Sequence, residues 1–261
     1  MNILYIFGNG FDKAQGMATG YPEFYKHLQY NITDGSTLLN RMKKEITEKL
    51  ELWSDMEESL GGFTTESDNA DEFDDFYFEL NDLLQKYLTS ENDNFFPTDK
   101  LKIKFQSDFT TVSKYLGALD QNRYNIFIKT NGLSLSKDIS VITLNYTNTL
   151  EKILSLNTTT TKTFGSNIFL RDIIHVHGQL GRSIIIGVDN EEQIMNKEFR
   201  NNDDIKDLMI KIQSNEVMKE TRHMQCEALI SNANIIVLFG VSLGDTDARW
   251  WKIIGDNLVK R

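Results

Sequence analysis

The chain has a single cysteine and two prolines in 261 residues. With Cys226 alone, an internal disulfide and a multi-cysteine zinc ribbon are both excluded, which suits a reducing compartment and makes the cytoplasm the expected location. Basic charge is also short: 28 lysines and arginines face 38 acidic residues, a net charge of −10. That balance argues against a general nucleic-acid binder, which displays a basic face, and leaves only a local basic groove around Lys102, Lys104 or Lys211. No apolar run approaches the roughly 20 residues that span a bilayer, so no membrane partner is expected. The N-terminus enters a core-like strand too early for a signal peptide, and Met1 is expected to start the mature protein. No long linker or internal repeat interrupts the chain. A content of 40% hydrophobic and 25% charged residues fits one globular domain, or one core with a helical insertion.

The N-terminal stretch Ile3 to Phe24, ILYIFGNGFDKAQGMATGYPEF, carries the most information. Its β-branched and aromatic start suits a buried strand, and Gly8 and Gly10 then permit the positive φ and close backbone approach of a phosphate-facing loop. A bare Gly-X-Gly is also an ordinary strand-to-helix turn. The full dinucleotide fingerprint wants a third glycine earlier than Gly16.

Short apolar runs predict strands at Ile3 to Phe7, Ser140 to Leu144, Asp172 to Val176, Ser183 to Ile186 and Asn234 to Phe239. Between Pro22 and about Leu133, apolar residues at three- and four-residue spacings predict helices over Leu38 to Leu52, Ala70 to Leu88 and Leu101 to Asp120. Ser67 to Asp75 and Thr89 to Asp99 read as polar breaks. Asn157 to Thr163, with five threonines, reads as a turn or an edge strand. Strands alternating with helices predict an α/β fold: a Rossmann-like parallel sheet from about 1–21 and 134–261, with a large helical insertion over about 22–133. Its ligands would bind beyond the carboxyl ends of the strands.

Two motifs sit at such strand ends. In VITLNYTNTLE a buried strand stops at Asn145 and a helix begins near Thr147, a candidate cap. The Asn145 carboxamide either orients a water or ribose hydroxyl or satisfies turn backbone groups. In IIHVHGQLG, His175 and His177 alternate along a strand and so share a face, with Gly178 opening the backbone behind them. No third ligand at recognisable spacing accompanies them, so no metal site is predicted. His177 then reads as a general base with His175 its structural neighbour, and two satisfied core histidines are the alternative. Asp12 either holds a ribose or caps a helix. Asp245 and Asp247 either line the same crevice or cap the segment after Thr246. Glu57 and Glu58 in WSDMEESLG offer an acid or base on a lid, against the simpler reading in which Trp53 packs the helices down and the acids face solvent. Trp250 and Trp251 read as anchors for the last helix or a subunit contact.

GNGFDKAQGMATGYPEF, WSDMEESLG, TLNYTNTLE, HVHG, SIIIG and FGVSLGDTDARW, in that order, resemble the motifs of the bacteriophage abortive infection AbiH family over essentially the whole chain. Ala18 stands where that family usually has proline, which is expected to loosen the first loop, and Val241 replaces a histidine often found before Ser-Leu-Gly. The pattern is more distantly similar to sirtuin-like proteins. That likeness implies a sirtuin-like core in which Gly8, Asn9 and Gly10 match a phosphate loop, Asn145 the water- or ribose-orienting asparagine, and His177 the catalytic histidine. Phe11, Asp12, Thr147, Gly178, Gly240, Ser242 and Asp247 join the cofactor-binding set from the same motifs. The cysteines of the sirtuin zinc module are missing, which argues against protein deacylation.

What the resemblance implies is an antiphage protein that binds NAD+ and hydrolyses it at the nicotinamide–ribose bond, through an oxocarbenium-like transition state. NADP+ and ADP-ribose are alternative ligands. The rival is a non-catalytic module that senses a nucleotide or a phage protein and signals by assembly, with a phage-derived trigger and a homo-oligomer as its partners. A nuclease is disfavoured by the acidic charge and the lack of a clustered carboxylate motif.

Overall fold

In a computed structural model of the protein, residues 1–130, 136–156 and 161–259 are described. Its centre is a five-stranded sheet built from β1 (Asn2–Phe7), β2 (Lys137–Thr143), β3 (Lys162–Phe164), β4 (Ile168–His175) and β5 (Ile235–Phe239). The order is β3-β4-β2-β1-β5, with β3 antiparallel at one edge and the other strands parallel. Phe7 pairs with both Thr143 and Phe239, and Thr143 with His175, so the four parallel strands end at one level. The chain runs from β1 outward to β2 and β4, then returns to place β5 on the other side of β1. Connections therefore diverge between β1 and β5.

Alternation along β1 fills two layers, because successive side chains leave a strand on opposite faces. Ile3, Tyr5 and Phe7 pack with Phe109, Val141, Leu150 and Ile153, while Leu4 and Ile6 pack with Cys226, Ile230, Trp250 and Ile254. Both faces are covered, which is why the strand reads as a continuous apolar run. Trp250 is buried there as an anchor of the last helix.

Helices fill the chain between β1 and β2: α1 (Gly10–Ala14), α2 (Tyr21–Asn31), α3 (Thr37–Glu48), α4 (Met56–Phe63), α5 (Ala70–Asn94), α6 (Asp99–Phe109) and α7 (Ala118–Thr130). A third core joins Phe24, Leu39, Trp53, Leu60, Phe76 and Leu80 to Ile186, Met209 and Ile210. After β2 come α8 (Thr149–Leu154), α9 (Lys197–Arg200), α10 (Asp203–Met209), α11 (Lys211–Val217), α12 (Arg222–Asn232) and, beyond β5, α13 (Ala248–Val259).

Several expectations are corrected. The acidic run from Ala70 to Asp75 is the first turn of α5: Asn69 accepts from the Asp71 and Glu72 amides, and acids suit a helix N-terminus. The same helix continues through Thr89 to Asn94 before Thr98 caps α6. Leu101 to Asp120 is not one helix, because Thr110 turns back onto the Gln106 carbonyl and α6 ends there. Ser183 to Ile186 makes only an isolated bridge between Ile184 and Gly178. Side chains take the place of a ladder in this segment: Asn81 Nδ2 donates to the Ile184 carbonyl, Tyr146 Oη to Ile185 and Tyr77 Oη to Ile186. Lys162–Phe164 is an edge strand, while Asn157 to Thr160 and the 133/134 boundary lie outside the described residues.

Gly10 and Gly240 bring the loops after β1 and β5 into backbone contact. Gly10 N donates to Gly240 O at 2.8 Å, and a Cβ on Gly10 would lie 2.7 Å from the Gly240 Cα. Neither backbone can yield to a side chain. Gly10→Ala is expected to cost about 1–3 kcal/mol by overpacking. Gly62→Ala, in open space within α4, is expected to be neutral or to stabilise by up to roughly 1 kcal/mol. Thermal melts of the two variants check this contrast, at roughly 2–4 °C per kcal/mol for a chain near this size.

Candidate functional site

Beyond the carboxyl ends of β1, β2, β4 and β5, and against α2, α4 and α5, lies a cavity of about 140 Å³. Eight residues of the predicted set line it: Gly8, Asn9, Asp12, Asn145, Thr147, His177, Ser242 and Asp247. Gly10, Phe11, Gly178 and Gly240 do not line it. Phe11 is buried in an aromatic cluster with Phe7, Phe105 and Phe239. Gly178, at φ +90°, holds a crossing where a Cβ would fall 2.0 Å from the Ser183 carbonyl oxygen.

The first loop is tied inward. Gly8 N and Gly10 N donate to the carbonyls of Phe239 and Gly240, and the Asn9 carboxamide exchanges two hydrogen bonds with Thr19. The glycines here serve backbone packing, so those two amides are not donors for a phosphate. Ala18, in place of the family's proline, gives its N–H to Glu91 and its carbonyl to Tyr87 Oη. The bond to Glu91 on α5 is one that a proline at this position could not make.

The strand carrying the two histidines ends at His175, so the pair does not share a strand face. His175 lies between the Asn145 carbonyl (2.8 Å) and Glu151 (2.7 Å). His177, past the turn, points elsewhere and places Nε2 2.8 Å from Asp247 Oδ1. The carboxylate assigns the proton to Nε2, leaving Nδ1 as an acceptor. Thr147 does not cap α8: its hydroxyl donates to Asp12 Oδ2. Asp247 is likewise no helix cap, since its carboxylate meets His177 and Lys211.

Glu57 and Lys211 complete the site. Glu57 is buried, contrary to the solvated reading, whereas Glu58 is exposed. Lys211 belongs to no basic groove. Its buried ammonium contacts Glu57 Oε2 at 2.8 Å, the Thr246 carbonyl at 2.9 Å and Asp247 Oδ1 at 3.2 Å. Burial opposes charge on Lys211, but Asp247 and Glu57 outweigh it and keep the ammonium charged. Burial also works against the Asp247 carboxylate, yet Lys211 and His177 hold it well below the ordinary range. In Glu57 burial wins: with Asp247 adding repulsion, its carboxyl is pushed up despite Lys211. Asp12 is raised as well, by burial, against the hydrogen bond from Thr147. The signal for Glu57 was its place one residue after the buried Met56 at a capped helix start, with Asp55 accepting from the Glu57 and Glu58 amides. The signal for Lys211 was a lone lysine between Ile210 and Ile212.

Three buried atoms at this cavity have no hydrogen-bond partner among the described residues: Asp12 Oδ1, Asn145 Oδ1 and His177 Nδ1. With His177 in the Nε2–H form all three are acceptors, which water or a ligand with O–H or N–H donors can satisfy. Among the described residues no group of three or more His, Cys, Asp or Glu is arranged to hold a metal.

Against this geometry, the profile of one family matches residues 4–261. The chain belongs to the bacteriophage abortive infection AbiH family. Membership assigns this AbiH chain to phage defence by abortive infection, and the cavity at its strand ends is built from motifs within the matched range. No curated protein matches the AbiH chain. Among its described residues no helix is long and apolar enough to cross a membrane.

Two outcomes test the charge network. Lys211→Met strands two buried carboxylates and is expected to cost about 3–5 kcal/mol, measured by chemical denaturation. Asp247 and Glu57 should respond to pH in opposite directions. The depressed Asp247 carboxyl contributes stability that is present above its unfolded value, about 3.9, and is lost as pH falls through its folded value. The harm done by Asp247→Asn is therefore full at neutral pH and shrinks below about pH 4. The raised Glu57 carboxyl contributes stability that is full below about 4.3 and is lost as pH rises through its folded value. Glu57→Gln therefore gains on the wild type as pH rises above about 4.3, and melting temperatures measured on both sides of that value check both signs.

Proposed function

We propose that the protein serves abortive infection by binding NAD+, or a related dinucleotide, and hydrolysing the nicotinamide–ribose bond. The observation that carries this reading is the trio of unpartnered acceptors, Asp12 Oδ1, Asn145 Oδ1 and His177 Nδ1, at one cavity. Ribose hydroxyls and an attacking water are all O–H donors and satisfy such a set. A parallel sheet whose connections diverge between β1 and β5, with the cavity at that edge, suits a Rossmann-like, sirtuin-related core, since open α/β sheets bind ligands at the switch point.

The chemistry follows from the atoms. Water held by Asn145 Oδ1 attacks the anomeric carbon as the bond to the nicotinamide nitrogen breaks, and its proton passes to His177 Nδ1. The products are nicotinamide, ADP-ribose and a proton. Asp247 fixes the ring through Nε2 and stabilises the imidazolium that forms, while Lys211 holds Asp247 in place. The Asp247 carboxylate also lowers the energy of positive charge developing on the sugar.

The cavity sets how the substrate enters. A volume of about 140 Å³ is below the roughly 300–1,000 Å³ of whole-ligand pockets. It takes the ribose end, and the pyrophosphate and adenosine lie outside it. The Gly8 and Gly10 amides are already donated, so the pyrophosphate is held elsewhere than on them.

Purified protein incubated with NAD+ is expected to release nicotinamide and ADP-ribose, followed chromatographically. His177→Ala and Asn145→Ala are each expected to reduce the rate by roughly 10²–10⁴-fold, the range for losing a positioned proton acceptor, with melting curves confirming the fold. The same two variants in infected cells decide the biology: phage protection that survives both, with cellular NAD+ unchanged in wild type, overturns the hydrolase in favour of a nucleotide-sensing module.

A further inference from the structure

A second recess, of about 540 Å³, lies on the side of the molecule formed by α5, α10 and α11. Part of its lining is apolar and open to solvent: Phe78 is 56% exposed, Val217 58% and Met218 44%. Large apolar side chains grouped in one concavity mark an interaction surface more often than scattered ones do.

The rim has one sign of charge. Asp74 and Asp82 on α5 face Asp204 and Asp207 on α10, and among the described residues no lysine or arginine lines the recess. Asp82 pairs with Lys86 at 2.6 Å, and Lys206 beside Asp207 pairs with Asp203 at 2.6 Å. Asp74 and Asp204 have no ion pair among the described residues. Partial burial and then repulsion from Asp75, Asp71 and Asp204 raise the Asp74 carboxyl above its ordinary value. Carboxylates crowded around an open apolar floor repel nucleic acid and anionic ligands, and they attract a partner that is apolar on one side and cationic at its edges.

The length is also defined. The α5 wall runs from Asp74 to Gln85, about 16 Å at 1.5 Å per residue, which matches about three turns of helix. We propose that this groove is a docking site for a cationic amphipathic helix of a partner polypeptide, with its apolar face on Phe78, Val217 and Met218 and its lysines or arginines on Asp74 and Asp204.

The site stands independently of the NAD+ reading, although its walls reach the cavity. Asn81 donates to the Ile184 carbonyl, and Lys211 N at the start of α11 donates to Val188 O. The segment Ile184 to Val188 is therefore held between the groove and the residue that pairs Glu57 with Asp247.

The test uses the full chain and a fluorescent 18-residue helix with lysines on one face and leucines on the other, followed by anisotropy at low and high salt. A glutamate–leucine peptide of the same pattern is the charge control. The lysine peptide is expected to bind saturably, the glutamate peptide not at all. Asp74→Asn/Asp204→Asn and Phe78→Ser should each weaken binding about tenfold or more, as expected for central contacts of a charged interface, with melting curves unchanged. Asp34→Asn/Glu51→Gln, which removes the same charge from exposed positions elsewhere, should leave it intact. Equal weakening by the two charge-removing variants would reduce the effect to diffuse attraction and overturn the proposal, as would absence of binding. Self-association abolished by Phe78→Ser would assign the groove to a second copy and overturn it as well.

Discussion

One buried ammonium ties the site together. Lys211 cannot remain charged inside the protein without acceptors, because desolvating a cation costs several kcal/mol unless it is paired and hydrogen-bonded. Glu57 on α4, the Thr246 carbonyl and Asp247 supply those acceptors, and they come from segments far apart in the chain. Meeting that demand pulls α4, α11 and the loop after β5 together. Asp247 is thereby placed against His177, and that contact fixes which ring nitrogen remains an acceptor. The orientation of the His177 ring is thus set through the Asp247 carboxylate that Lys211 holds.

A similar economy governs the first loop. Its glycines look like a phosphate cradle in sequence, since a cradle and a close backbone crossing ask the same thing of a residue: no Cβ. Here the crossing wins, for the Gly8 and Gly10 amides are donated to the loop after β5 and Asn9 is tied to Thr19. What the cavity offers a ligand is mainly acceptors, from Asp12, Asn145 and His177. That chemistry is suited to hydroxyl groups and water.

Much of the fold was legible because buried parallel strands leave strong local traces. The runs at Ile3, Ser140, Asp172 and Asn234 all lie in the sheet, and Asn145, His177 and Asp247 come together because those strands end at one level. The apolar run at Ser183 misled because side chains from α5 and Tyr146 satisfy its carbonyls, leaving composition the same and pairing different. The start of α5 reads both as a helix from Ala70 and as a polar break through Asp75, because the acids that suit a break are also those that favour a helix's first turn; the helix reading holds. The histidine pair misled by one residue: strand spacing put both rings on a face, and the strand stops at the first of them.

The sequence by itself determined the family, the α/β class, most of the strands and the motifs whose tips surround the cavity, since each of these rests on residues close together in the chain. Only the tertiary structure decided that Glu57 and Lys211 are buried partners, that the glycine loop packs on backbone, and that α5 and α10 face each other across an acidic groove. Those facts depend on pairs separated by many residues. An isolated glutamate or lysine has the same local pattern whether it meets water or its opposite charge.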